Sequence, residues 1–289
     1  MKPPPFTYQA PTTLDEALGL LTEHGDEAKV LAGGQSLVPV LAMRLARPDV
    51  IVDVNRVPGL ADIRHEGDTL TLGAMIRHAT LEHDPVVAAA LPLLSRVAPH
   101  IGHFPIRNRG TFGGSLAHAD SAAEWPAVAI ALDAEIDVAN SAGSRTVPAL
   151  EFFVSTFTTT LQAEEMLVGV RFPTWGTGSG YAIEELARRS GDFALAGVVC
   201  AVHVEAGKVA KAGVALLGMG SVPVRLAALE AELIGSTPAD LDLEGLCEAA
   251  VADLDAPSDI HASGGYRRRI AAALTARALA RALEEAADA

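Results

Sequence analysis

The sequence predicts an α+β protein of two domains, and three observations carry that prediction. A strand, a glycine pair, a helix and a second strand follow one another between Lys29 and Val54, the unit favoured for cradling phosphate. A run of small residues, Trp175-Gly176-Thr177-Gly178-Ser179-Gly180, cannot support the interior of an element and reads as a linker. Beyond it, alternating stretches come first and helical ones after, the order of a sheet with helices on one face. The 289 residues are enough for two domains, placed at 1–176 and 177–289.

The elements follow in order. Thr13 and Glu16 form a capping box, Leu14, Ala17, Leu18 and Leu21 share a face, and Gly25 supplies the exit of a first helix. Lys29 to Ala32 is a short apolar strand, Ser36 to Leu45 a helix stopped before Pro48, and Val50 to Val54 a second strand. Thr69 to Gly73 reads as a strand and His78 to Val97 as helix, interrupted near Pro85 and Pro92; Pro99 to Arg109 has no clean period. Ala122 to Leu132 is helical with Pro126 in its first turn. Glu135 to Val138 and Met166 to Phe172 are strands. Past the linker, Tyr181 to Arg188 is a strand, and Leu195 to Glu205 and Val209 to Leu217 pair around Ala206-Gly207. Helices are expected over Val224 to Ile234, Leu243 to Leu254 and Tyr266 to Ala287.

Composition narrows the function. The formal charge of −14 argues against nucleic acid, which is bound through clustered Lys and Arg. Aromatics are only 4% while apolar residues reach 49%, so the core is aliphatic. Cys200 and Cys247 are the only cysteines, too few for an iron–sulfur cluster or a structural zinc, and His100 and His103 lack further ligands. No signal peptide or membrane span is legible, which predicts a cytoplasmic protein with reduced thiols.

Two glycine pairs carry the functional signal: Ala32-Gly33-Gly34-Gln35-Ser36 and Thr111-Phe112-Gly113-Gly114-Ser115. Alone, each pair is a tight turn. Together, with flanking hydroxyls and backbone amides, they read as a divided cradle for a diphosphate. A helix start contributes only about 0.3–2 kcal/mol toward an anion, so two converging loops make better sense than one. There is no G-x-G-x-x-G between a strand and a helix and no Walker A lysine, since Gly176-Thr177-Gly178-Ser179-Gly180 leads into a strand.

Four motifs in order then resemble a known family. Ala32-Gly33-Gly34-Gln35-Ser36-Leu37, the run Ile101 to Ser115, Ala187-Arg188-Arg189-Ser190-Gly191-Asp192-Phe193-Ala194 and Asp259 to Arg267 resemble the FAD-binding medium subunits of molybdenum hydroxylases, the carbon monoxide dehydrogenase and xanthine dehydrogenase family. The resemblance implies an FAD-binding domain of the p-cresol methylhydroxylase (PCMH) type, built of two α/β subdomains, followed by a smaller C-terminal α/β sandwich. It implies FAD in this chain, and a large molybdopterin subunit and a small subunit with two [2Fe–2S] clusters as partners, assembled as a dimer of heterotrimers. The chain would then carry electrons from those clusters through FAD to NAD, a quinone or oxygen, with no catalytic residue set of its own.

Carried over by position, Ala32, Gly33, Gly34, Gln35, Ser36 and Leu37 with Thr111, Gly113, Gly114 and Ser115 would hold the diphosphate and ribityl. Ile101 would lie along the cofactor, Glu124 would bind cofactor hydroxyls, Leu167 or Val168 would line the adenine or flavin end, and Phe193 would cover the isoalloxazine. Read without the family, Ile101, Leu167 and Val168 are core aliphatics, Phe193 a packing aromatic and Glu124 a helix-start acid. Glu184 replaces a lysine found in several relatives, and Ser115 an Asn or Asp. The rival readings are a free-standing FAD-dependent oxidase and a non-catalytic nucleotide-binding adaptor.

Overall fold

The computed structural model describes residues 2–288. Its first unit grows from a parallel sheet of three short strands. β1 (Thr7–Gln9), β2 (Ala28–Leu31) and β3 (Val50–Asp53) lie in the order β1-β3-β2, with Leu31 opposite Asp53. Between β1 and β2 runs α1 (Leu14–His24), with both halves of its capping box formed by Thr13 and Glu16 and its exit at Gly25, φ +49. Ala17, Leu18 and Leu21 bury against Val50, Val52 and Val54. After β2 comes α2 (Leu37–Ala42), shorter than expected because Arg44 turns to φ +62 ahead of Pro48.

The second unit is a five-stranded antiparallel sheet under a layer of short helices. β4 (Ile63–Glu66) and β5 (Thr69–Gly73) begin it, and α3 (His78–His83), α4 (Pro85–Ala90) and α5 (Pro92–Val97) follow. One long helix is ruled out there because Pro85 and Pro92 each start a new one at its first position. α6 (Phe104–Arg107), α7 (Phe112–His118) and α8 (Glu124–Ala131) lead to β6 (Glu135–Asn140) and β7 (Gly143–Pro148). α9 (Ala149–Phe152) and the small hairpin β8 (Phe153–Ser155)/β9 (Thr158–Thr159) precede β10 (Met166–Pro173), which enters the middle of the sheet in the order β4-β5-β10-β6-β7. β4, which carries only one apolar residue, and β7 are edge strands that sequence periodicity does not mark.

The third unit is an antiparallel sheet in chain order, β11 (Ser179–Ala187), β12 (Ala194–Glu205), β13 (Lys208–Leu217) and β14 (Val224–Arg225). Ala206 and Gly207, at φ +51 and +76, make the hairpin turn whose hand suits the strand twist. Val224 and Arg225, expected to be helical, pair with β13 instead. Glu230 holds them there, accepting from the Val214 amide at 2.8 Å and from the Arg225 guanidinium at 3.0 Å. α10 (Ala227–Leu233), α11 (Leu243–Val251) and α12 (Gly264–Asp288) cover one face.

The other face is not free. It lies on α8, whose eight residues are all buried, and Val199, Ala201, Ala215 and Leu217 share a core with Trp125, Val128 and Ile130. Glycines let the layers touch backbone to backbone: a Cβ on Gly213 would lie 1.9 Å from the Ala131 carbonyl oxygen, and one on Gly180 1.8 Å from that of Ala282. The architecture is therefore α+β, two subdomains and a C-terminal sandwich. No helix among the described residues is long and apolar enough to cross a membrane.

Candidate functional site

The end of β2 delivers Ala32 to Ser36 to the rim of the parallel sheet. Gly34 needs its positive φ of +73 to make the turn. Among the described residues, no hydrogen bond uses the amides of Gly33, Gly34, Gln35 or Ser36, and the Ser36 side chain does not cap α2. Gly33, Gly34 and Gln35 line a cleft of about 400 Å³ together with Leu31, Ala32, Val38, Pro39, Asp53, Asn55 and Arg109, and Ser36 follows directly. Unpaired amides at the mouth of a cleft are what an anion requires.

The second glycine pair is built differently from the expectation. Gly113 and Gly114 form the first turn of α7 rather than a loop, and its amides are occupied. Phe112 donates to the Ile76 carbonyl at 2.9 Å, Gly113 to that of Ala74 at 2.8 Å, Gly114 to the Thr111 hydroxyl at 3.2 Å and Ser115 to the Thr111 carbonyl at 3.0 Å. Amides already paired are not free for a phosphate, so the picture of two equal donor loops is corrected. The glycines serve close approach instead. A Cβ on Gly113 would sit 2.6 Å from the Ala74 Cβ, and one on Gly114 3.5 Å from that of Ala32. From the first pair, a Cβ on Gly33 would lie 2.4 Å from the Arg109 carbonyl oxygen and 2.9 Å from the Thr111 nitrogen. The two pairs do meet.

Residues that sequence reading passed over hold them together. The Asn55 side-chain amide donates to the Ala32 carbonyl at 2.9 Å and to Asp53 at 2.6 Å. Its oxygen accepts from Arg77 at 2.5 Å, and Arg77 also donates to the Arg109 carbonyl. One side chain thus reaches the first glycine loop and its partner reaches the approach to the second. Tyr8 donates to the far oxygen of Asp53. Burial pushes the Asp53 carboxyl up, but the bonds from Tyr8 and Asn55 outweigh it and hold it below the usual range. Asp53-Val54-Asn55 at a strand end was the available signal. Beneath Gly110, His78 accepts from the Trp125 indole at 2.9 Å, and burial, with Arg77 next, drives its pKa down to about 3. It is a neutral structural histidine.

The remaining expected positions separate into two groups. Leu167 is 5% exposed and belongs to the central core. Val168 is the extra residue of a β-bulge between Leu167 and Gly169; it packs toward the first unit, and its carbonyl accepts the Ala74 amide at 3.1 Å. Ile101 is half-buried at the core edge. Gly191, at φ +85, brings the 188–193 loop onto His103, where its Cβ would lie 2.4 Å from the ring, leaving Phe193 62% exposed. Glu124 is buried at the start of α8, and burial, followed by the charge of Glu185, raises its pKa to about 8. Glu184, the departure from the family lysine, is buried and clamped by Arg277 and Arg281.

The structure thus joins an α/β rim with unpaired amides to an antiparallel sheet whose helix α8 also carries the C-terminal sandwich. Residues 4–175 match the family described as the FAD binding domain in molybdopterin dehydrogenase, and residues 181–282 the CO dehydrogenase flavoprotein C-terminal domain. The chain is 44% identical to subunit alpha of the 6-hydroxypseudooxynicotine dehydrogenase complex of Paenarthrobacter nicotinovorans, covering 99% of this chain and 97% of that one. It is 39% identical to caffeine dehydrogenase subunit beta of a Pseudomonas species, covering 98% and 97%. A solved carbon monoxide dehydrogenase from Hydrogenophaga pseudoflava, lacking the Mo-pyranopterin moiety, superposes with a TM-score of 0.95 at 38% identity over 99% of both chains. The chain belongs to the FAD-binding subunits of the molybdenum hydroxylases.

Proposed function

We propose that this chain is the cytoplasmic FAD-binding electron-transfer subunit of a heterotrimeric molybdenum hydroxylase. Its partners on this reading are a large molybdopterin subunit and a small [2Fe–2S] subunit, and the trimer pairs into a dimer. The observation that carries the reading is the row of unpaired amides from Gly33 to Gln35 in the lining of a cleft that would accept a diphosphate. FAD, when bound, supplies the redox chemistry, collecting electrons and releasing them to an external acceptor.

The chain's own residues bind, orient and shield. Gly33 to Ser36 would hold the diphosphate by backbone donation, Asn55 and Arg77 would keep the two glycine segments in register, and the buried Thr111 hydroxyl would serve by holding the first turn of α7 through the Gly114 amide, with Ser115 beside it. Leu167, inside the core, would act only as backing, whereas the bulge at Val168 and the exposed Phe193 would shape the far ends. We keep the division at 1–176 and 177–289, with the cofactor cleft in the first part. Substrate choice belongs to the large partner.

Copurification of the native complex tests the reading. Molybdenum, iron and one FAD per copy of this chain are expected, with substrate-dependent reduction found by screening carbon monoxide, purines, aldehydes and N-heterocycles. A well-folded chain that takes up no FAD, alone or in the complex, would make it an adaptor instead.

A further inference from the structure

A second cluster lies where the third unit closes on the second. Side chains alternate along β11: Glu184 turns toward α12 and its two arginines, and Glu185 turns the other way, into the helices of the second unit. There, one Glu185 oxygen stands 3.1 Å from His100 Nδ1, and the other is buried without a hydrogen-bond partner. Glu124, the first residue of α8, lies within reach of the charges of both residues. It is 6% exposed. The His100 side chain is 34% exposed and is the member of the cluster most open to water.

Two buried carboxyls, one of them with an oxygen that has no partner, do not both stay charged. We propose that Glu124, Glu185 and His100 hold one exchangeable proton across the domain junction, with Glu124 neutral, Glu185 and His100 paired as ions, and His100 the route to water. The transfer is a plain protonation: Glu124 carboxylate plus a proton from water gives the carboxylic acid, and no other group changes charge. The surroundings favour this assignment. Burial and then Glu185 raise Glu124, Asp120 adds to them, and only its own amide and His100 oppose. The Glu185 bond raises His100 against burial, aided by Glu124 and Glu184. Among the described residues the neighbouring arginines are engaged elsewhere: Arg277 and Arg281 of α12 by Glu184, Arg96 of α5 by Glu285 and the Tyr181 carbonyl, and Arg107 of α6 by Glu82 and the Pro99 and Gly102 carbonyls. On the FAD-subunit reading, this sets a proton store beside Ile101, one of the positions that would lie along the cofactor.

The test uses the full chain without cofactor, so its failure would leave the FAD reading standing. Denaturant stability is measured across pH. The Glu124 pKa is raised from 4.5 to about 8 on folding, so its contribution is complete below 4.5 and is lost as pH rises toward 8. Glu124→Gln should remove that part of the slope. Glu185→Gln should move its upper end to lower pH and His100→Asn to higher pH, a pair of opposite displacements that loss of packing alone would not produce. Should Glu124→Gln not fold, those two variants decide. A slope in Glu124→Gln equal to that of the unaltered chain, the part due to His100 remaining in both, or an upper end that stays put in both others, overturns the proposal.

Discussion

At the scale of single residues, Gly33 decides whether the two glycine segments can touch. Its missing side chain leaves room for the Arg109 carbonyl, and backbone cannot swing aside as a side-chain tip can. Gly33→Ala should cost roughly 1–3 kcal/mol of local packing and lower the flavin-to-protein ratio of the purified chain, read by absorbance after denaturation. Asn55→Ala leaves the Ala32 carbonyl and Arg77 without their partner, and should weaken FAD binding by roughly 1–3 kcal/mol in a fluorescence titration while the fold is kept. Phe193, on an exposed loop, belongs to access rather than retention. Phe193→Ala should change reoxidation rates with different acceptors and leave FAD affinity unchanged; identical rates for every acceptor would count against a covering role. The glycine pairs were legible because their residue types are unusual side by side. Asn55 and Arg77 were not, because each works on a carbonyl far away in sequence, and nothing local announces such a bond.

Elements were readable where local chemistry was strong. The capping box at Thr13 and Glu16, the hairpin at Ala206-Gly207 and the long α12 follow from neighbours a few residues apart. The division of 78–97 into three helices follows from Pro85 and Pro92 acting at first positions. What stayed hidden were the edge strands β4 and β7, whose polar faces carry no alternation, and the conversion of the second glycine loop into the first turn of α7. That turn depends on Ala74 and Ile76 accepting its amides, a contact made by a distant strand end. Among elements, the most demanding contact is β13 on α8. Gly213→Val would drive a side chain into the Ala131 carbonyl, and should destabilise the protein by more than the roughly 1–3 kcal/mol usual for overpacking, measured by urea unfolding.

Across the whole molecule, the proposed division at 176/177 parts the sequence while the core runs through it. The Trp175 to Gly178 stretch joins β10 to β11, yet the core beneath it is continuous, because α8 is surrounded by apolar residues from both sides of the linker. Urea unfolding of the full chain should therefore be a single transition. A fragment ending at residue 176 should bind hydrophobic dyes and aggregate, since the face of α8 that β12 and β13 cover would stand open.

The burial of α8 from all directions also orders events at the ribosome. The helix is complete once Ala131 has been made, but the strand that finishes its cover ends at Leu217. At about 5–20 residues per second, the nascent chain carries a greasy, unfinished centre for several seconds. Slowing translation between β6 and β13 should therefore lower the soluble yield, read as the soluble fraction from synonymous-codon variants.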